Sequence, residues 1–301
     1  MTTAAILTQR FSPGRQLGFR DVNGLIVADI DTPLATASLC LQGAHLMMWR
    51  PQAQAEPVVW LSQLAKLAPG KSIRGGVPVC WPWFGPHATD ARLPAHGFAR
   101  TVPWELVEAH VAGDGAVELA LTLAGTEQTR ALWPHRTRAE LRLAVGATLK
   151  VALTTVNEDD HPVVIGEALH TYFHIGDIAA VHVRGLEGVT YLDKVDGGAR
   201  KRQQGAIAFA GETDRVYLAT EAACVIEDER LRRRIRIAKS GSRSTVVWTP
   251  WTEKADKMGD FGPDGWRSMV CVESANAADD VVTIPPGARH TLAVEYAAEA
   301  F

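Results

Sequence analysis

The chain is written in short runs that alternate apolar and polar residues, and this pattern constrains its fold more than anything else. Gly24-Leu-Ile-Val-Ala-Asp-Ile30, Ala116-Val-Glu-Leu-Ala-Leu-Thr-Leu123, Arg138-Ala-Glu-Leu-Arg-Leu-Ala-Val145 and Leu149-Lys-Val-Ala-Leu-Thr-Thr-Val156 come first. Pro162-Val-Val-Ile-Gly166, Ala223-Cys-Val-Ile-Glu227, Arg234-Ile-Arg-Ile-Ala238, Thr245-Val-Val-Trp248, Ser268-Met-Val-Cys-Val-Glu273 and His290-Thr-Leu-Ala-Val-Glu-Tyr296 follow. A period of two with Gly, Asn, Asp and Pro between runs predicts antiparallel β-structure. No stretch carries a long amphipathic helical stripe, and Arg130-Ala-Leu-Trp-Pro134 predicts only a helical turn. With 301 residues the chain can bury a large core in one all-β domain. Two segments, 65–94 and 250–265, do not read as strands and are rich in Gly, Pro and Trp. Long irregular loops in compact domains usually carry function, and the aromatic content argues against disorder. There is no linker, low-complexity tract or internal repeat.

Charge narrows the partners. With 31 Lys and Arg against 34 Asp and Glu the net charge is −3, and the pI is near 6.4. Nothing global draws the chain to nucleic acid or an anionic membrane, so a phosphorylated substrate needs a local basic site. Leu231-Arg-Arg-Arg-Ile-Arg-Ile237 alternates Arg with Ile and reads as a solvated strand face. The N-terminus lacks a signal-peptide pattern, and no apolar run nears the roughly 20 residues that span a bilayer. Cys40, Cys80, Cys224 and Cys271 lie far apart in apolar company, which predicts buried thiols in a reducing cytoplasm and no zinc motif.

Several segments could carry chemistry. Ala65-Lys-Leu-Ala-Pro-Gly-Lys-Ser72 mimics a phosphate-binding loop, but the Gly-Gly and Pro that follow forbid the helix such a loop requires. Arg74-Gly75-Gly76 offers a guanidinium fork beside backbone that can approach a ligand closely, or simply a turn with a solvated Arg. In Leu93-Pro-Ala-His-Gly-Phe-Ala-Arg-Thr101, an extended conformation would align His96, Phe98 and Arg100 on one face. Cys80-Trp-Pro-Trp-Phe-Gly-Pro86 holds three aromatics that either stack on sugars or anchor the loop to the core. In Glu167-Ala-Leu-His-Thr-Tyr-Phe173, the residues His170, Tyr172 and His174 share one face, with Leu169, Thr171 and Phe173 on the other. Glu273 ends the apolar run Met269-Val-Cys-Val. An imidazole or carboxylate inside an apolar strand is costly unless paired. Asp193, in Tyr191-Leu-Asp-Lys-Val-Asp196, offers a hydroxyl acceptor or a turn carboxylate.

Taken in order, Ser72-Ile-Arg-Gly-Gly-Val-Pro78, Leu93-Pro-Ala-His-Gly-Phe-Ala-Arg100, Ala168-Leu-His-Thr-Tyr-Phe173, Tyr191-Leu-Asp-Lys-Val195, Thr213-Asp-Arg-Val-Tyr217, Val247-Trp-Thr-Pro250 and Met258-Gly-Asp-Phe-Gly-Pro-Asp-Gly265 with Met269-Val-Cys-Val-Glu273 resemble the hexose-6-phosphate mutarotases (glucose-6-phosphate 1-epimerases) of the aldose 1-epimerase superfamily. The resemblance implies a galactose-mutarotase-like β-sandwich, all-β with large antiparallel sheets, as a single domain over residues 20–298. It implies no metal and no organic cofactor. It places the catalytic pair on His170 and Glu273, and substrate contacts on Arg74, His96, Arg100 and Asp193. Ala95 stands where related enzymes often have a substrate-contacting Gln.

The reaction so implied interconverts α and β anomers of a hexose 6-phosphate through ring opening. Glu273 is expected to act as general base on the anomeric hydroxyl and His170 as general acid on the ring oxygen, with the His170 pKa raised by the carboxylate and the phosphate. The expected partner is a small hexose phosphate, with no nucleic acid or membrane, and the expected state is a cytoplasmic monomer. A carbohydrate-binding or regulatory β-sandwich without catalysis, or an epimerase of unphosphorylated aldoses, is the competing reading. A glycosidase would need two carboxylates.

Overall fold

The computed structural model describes residues 2–11 and 14–301. Two eight-stranded sheets dominate it, and the strands named below pair antiparallel throughout. The first runs in the order Ala199–Arg202, Thr190–Asp193, Thr213–Tyr217, Ser244–Thr249, Met269–Asn276, Glu167–Leu169, Val79–Cys80, and Tyr172–His174 also pairs with Met269–Asn276. The second runs Val181–Arg184, Cys224–Asp228, Arg233–Ser240, Arg289–Ala300, Leu149–Asn157, Thr137–Val145, Val117–Leu123, Glu105–Val111. Leu17–Val22, Leu25–Asp31, Ala35–Cys40 and His45–Pro51 form a four-stranded sheet, and Val163–Ile165 pairs with Val282–Ile284.

The alternation in sequence becomes the alternation of faces. Along Glu167–Leu169 and onward, Glu167, Leu169, Thr171 and Phe173 point at the second sheet. There Thr171 Oγ1 meets Tyr296 Oη at 2.6 Å, the Phe173 ring packs edge-on against Tyr296, and Glu167 accepts from Thr155. His170 and Tyr172 therefore emerge on the outer face of the first sheet, as their spacing predicts. The second sheet closes the core with strands such as Thr137–Val145, buried at every other position. A fully buried Val, Leu or Phe contributes about 1.5–3 kcal/mol, and Val247, Val270, Val272 and Phe173 all reach that state.

Besides the short strand Val79–Cys80 inside the 65–94 stretch, two segments depart from the sequence reading. Trp251–Met258 is a helix inside a stretch expected to be irregular, ended by Gly259 in the left-handed conformation with its N–H on the Ala255 carbonyl. Its sequence, Trp-Thr-Glu-Lys-Ala-Asp-Lys-Met, buries only Ala255, so it shows no apolar stripe to detect. The second is the 96–100 stretch, which is not extended. His96 and Gly97 both have positive φ, 66° and 70°, and Ala99–Thr101 is a 3-10 turn. A Cβ on Gly97 would lie 2.0 Å from the Trp81 carbonyl oxygen, so the chain passes too close to Trp81 to take any other residue. Phe98 consequently turns inward, edge-on to Trp81, away from His96 and Arg100.

Candidate active site

His170 and Glu273 face each other across neighbouring strands. Glu167–Leu169 pairs with Asn276–Ser274, and Tyr172–His174 pairs with Cys271–Met269 in the same register. Carrying that register through the gap sets His170 directly opposite Glu273, at the place where the ladder opens. Instead of bonding across, His170 N–H donates to the Pro78 carbonyl at 3.0 Å and Thr171 N–H to Leu169 at 2.9 Å. Directly opposite residues have Cβ atoms about 4.5–5.5 Å apart, and the side chains meet with His170 Nε2 3.3 Å from Glu273 Oε1. The Glu273 side chain is 1% exposed and that of His170 12%, so the imidazole is the more accessible of the two.

Burial sets the protonation of both groups. It pushes Glu273 well above the usual carboxylate range; the nearby Asp214 carboxylate pushes the same way, and the Arg100 guanidinium opposes. His170 is driven well below the usual imidazole range, first by burial and then by His96, Arg100 and Arg74. The expectation of a raised His170 pKa is therefore reversed by burial. Removing water penalises the imidazolium more than the Glu273 carboxyl, itself held neutral, can compensate.

Around the pair stands an aromatic wall. His170 stacks on Tyr172 with centroids 5.0 Å apart. Trp248 meets both rings edge-on, each at 6.0 Å. Tyr172 stacks on Trp60, and Trp60 on Phe261. The 80–86 loop, read from sequence as either sugar-stacking or core-anchoring, supplies none of these rings. Trp81 and Trp83 are buried and spend their indole N–H groups on Thr155 and the Pro94 carbonyl. Phe84 packs edge-on against His96.

Arg74 is held by several contacts. Its Nε donates to Asp260 and one Nη to Tyr172 Oη, each at 2.9 Å, and the guanidinium lies over the Phe261 ring. The turn that carries it is fixed from behind, where buried His45 Nε2 sits 2.9 Å from the Gly75 carbonyl. A Cβ on Gly76 would lie 2.3 Å from that imidazole and 2.4 Å from the Leu46 carbonyl. The glycine is thus required for close approach of the protein's own chain, where the sequence left ligand approach and a simple turn both open. Arg100 is less committed, with one Nη donating to the Ala95 carbonyl at 2.9 Å. Its charge acts on both His170 and Glu273. Ala95 thus contributes its backbone to hold Arg100.

His96 reaches the site despite its turn, its ring 5.7 Å from that of His170. Burial, reinforced by Arg100 and Arg74, lowers its pKa to about 4. Its Nδ1 accepts the Gly85 N–H at 3.3 Å, so the neutral ring keeps its proton on Nε2 and is a donor there. Asp193 is not brought to this site. It pairs with Arg215, which pairs with Val247, which pairs with Val272, so it lies one position out of phase with Glu273 and on the opposite face of the sheet. There its carboxylate takes the Lys201 ammonium at 2.8 Å. The carboxylate on the Glu273 face is Asp214, which pairs with Trp248 as Trp248 pairs with Cys271. Burial raises its pKa, with Lys254 and Lys194 opposing. The sequence did hold a signal for it, since Asp214 alternates with Val216 in an otherwise half-buried strand.

A model of the aldose 1-epimerase family matches residues 28–297, nearly the whole chain. The protein belongs to the aldose 1-epimerase family. A relative from Escherichia coli K12, provisionally named glucose-6-phosphate 1-epimerase, is 42% identical over 264 residues, 87% of either chain. The crystal structure of a provisionally named mutarotase from Salmonella typhimurium superposes with a TM-score of 0.90 at 37% identity, covering 97% of this chain and 96% of that one. A galactose mutarotase-like protein from Clostridium acetobutylicum is 11% identical and shares the fold alone, with a TM-score of 0.72 over 95% of this chain and 98% of that one. The all-β sandwich is thus of the galactose-mutarotase-like kind, as the sequence implied. No helix among the described residues is long and apolar enough to cross a membrane.

Proposed function

We propose that this aldose 1-epimerase interconverts the α and β anomers of a hexose 6-phosphate, glucose 6-phosphate foremost, with His170 and Glu273 as the acid–base pair. The observation that carries this reading is the 3.3 Å approach of an imidazole and a carboxyl group, both buried, at the base of an aromatic wall. The two oxygens of a hemiacetal carbon are geminal. Proton-transfer atoms this close can reach both oxygens together, each within about 2.6–3.2 Å.

The pair must carry one proton between its members. Burial alone favours that proton on Glu273. A dianionic phosphate held closer to the imidazole than to the carboxyl favours its transfer to His170, which leaves Glu273 as the base. Glu273 then takes the proton of the anomeric hydroxyl while imidazolium protonates the ring oxygen. The C1–O5 bond breaks, the aldehyde turns about C1–C2, and closure on its other face returns both protons. Each transfer supplies roughly 10²–10⁴-fold. Trp248 and Tyr172 present ring faces and edges suited to a pyranose. His96 Nε2–H donates to a sugar oxygen, and Asp214 accepts from a hydroxyl in the role first assigned to Asp193. Arg74 and Arg100 face the phosphate, Arg100 with the larger share because Arg74 already serves Asp260 and Tyr172.

This chemistry calls for neither metal nor organic cofactor. We read the enzyme as one domain over residues 20–298, acting as a monomer in the cytoplasm, where its four buried thiols stay reduced.

Exchange spectroscopy on equilibrated glucose 6-phosphate tests the reading directly. Wild type should speed anomer exchange, whereas His170→Ala and Glu273→Gln should lower kcat by at least about 10²-fold with unchanged melting curves. Turnover near wild type in either variant would overturn the pair. In the same assay Arg100→Ala should raise KM for glucose 6-phosphate by about tenfold or more and change that for free glucose far less.

A further inference from the structure

The site floor holds one strong donor that the acid–base chemistry leaves idle. Cys271 lies two residues before Glu273 on the same face of the same strand and is fully buried. One ligand atom from each of His170, Cys271 and Glu273 lies within 4.8 Å of the others. Imidazole, thiolate and carboxylate are the donors zinc takes, at about 2.0–2.3 Å, and three of them leave a fourth position for water. Two such bonds of about 2.0–2.1 Å in tetrahedral array end on atoms roughly 3.3–3.4 Å apart, and His170 Nε2 and Glu273 Oε1 already stand at 3.3 Å. The other carboxylate oxygen, Glu273 Oε2, is buried without a hydrogen-bond partner. Charge also balances, because thiolate and carboxylate together neutralise a dication and a buried site then carries no net charge. A second thiol, Cys80, lies on the same face, through its pairing with Ala168.

We propose that His170, Cys271 and Glu273 form an inhibitory site for a soft divalent cation such as Zn²⁺, bound in competition with the sugar. On binding, the Cys271 S–H bond breaks, its proton leaves to solvent, and the sulfur lone pair forms the bond to the metal. His170 Nε2 and a Glu273 oxygen supply two further lone pairs, and the Glu273 proton also leaves. No oxidation occurs. The bound cation takes the acid and the base out of use together. Among the described residues the other cluster of this kind, His135 with Asp159 and His161, offers less. There the Arg136 guanidinium and amide already occupy the two Asp159 oxygens, at 3.2 and 2.9 Å.

The test uses metal-stripped full-length protein titrated with Zn²⁺ at buffered free concentration, read by anomer exchange, and in parallel with Co²⁺, read by absorption. Zinc should inhibit wild type reversibly, with EDTA restoring turnover and sugar phosphate protecting. Cys271→Ser should turn over like wild type without metal and need at least about tenfold more zinc for half-inhibition. Loss of a direct ligand weakens binding no less than the roughly 10–100-fold typical of its outer-shell partners. Cobalt should add a near-ultraviolet thiolate charge-transfer band to wild type and not to Cys271→Ser or Cys271→Ala. No inhibition of wild type, equal inhibition of wild type and Cys271→Ser, or a cobalt spectrum without the thiolate band would overturn the site. The spectrum needs no turnover, so an inactive protein that still showed the band would sink the epimerase reading and leave the metal site standing.

Discussion

At His170 and Glu273 one physical effect, loss of water, acts on two groups of opposite charge type. It lowers the imidazole well below its usual range and lifts the carboxyl well above its own. The working form, one proton across the pair, is lost at low pH only when His170 also protonates, and at high pH only when Glu273 also ionises. The pH profile of kcat/KM should therefore be a broad bell with its acid limb well below pH 6.5, the ordinary imidazole value, and its alkaline limb far above 4.5. Anomer exchange measured across pH checks this, and an acid limb at or above 6.5 would contradict it. At this scale the sequence was partly legible. An imidazole and a carboxylate inside apolar runs stand out because burial without a partner is costly, but the resemblance alone supplied their pairing. The direction of the His170 shift was misread, because a sequence reveals a neighbouring charge more readily than the depth of burial that outweighs it.

The strand is the scale at which the two carboxylate candidates separate. Asp193 and Asp214 stand on adjacent paired strands, yet register sends one to each face of the sheet, because a shift of one residue reverses every side chain. Asp214→Asn should raise KM for the sugar phosphate by about tenfold or more, since a buried hydrogen bond to a charged group contributes roughly 1.5–3 kcal/mol. Asp193→Asn should leave KM unchanged. Steady-state anomer exchange on the two variants checks both, and a larger effect from Asp193→Asn would return the binding role to it. Strand positions were legible because alternation is local information. Faces of distant strands were not, since register between them is fixed only by long-range pairing. The helix Trp251–Met258 escaped for another reason, since it buries a single alanine. In Leu231–Ile237, Arg234 and Arg236 are exposed as expected, while Arg233 is buried and donates to the Glu56 and Pro57 carbonyls.

Across the whole molecule, the space between the sheets holds a second buried carboxyl. Glu167 is fully buried, three residues before His170 but on the opposite face. It accepts from Thr155 at 3.2 Å and lies 3.5 Å from His290 Nε2. Burial raises its pKa from 4.5 to about 8 and lowers that of His290, so the two rest there uncharged. The folded state thus holds a proton that the unfolded chain releases above pH 4.5. The resulting stability is fully present below pH 4.5 and is lost as pH rises toward 8, by up to about 1.4 kcal/mol per pH unit. Glu167→Gln should remove this slope, so its melting temperature should exceed that of wild type increasingly from pH 5 to pH 8. Thermal melts across that range decide it, and parallel curves would show that the carboxyl does not stay neutral in the folded protein.

The opening in the ladder at His170 has a consequence for durability. Acid and base hang from two neighbouring strands of one sheet, so their spacing is set by the hydrogen bonds above and below the gap. Fluctuating surface segments cannot pull them apart. Proton-transfer geometry therefore shares the fate of the sheet itself, persisting while those strands stay zipped and vanishing with them.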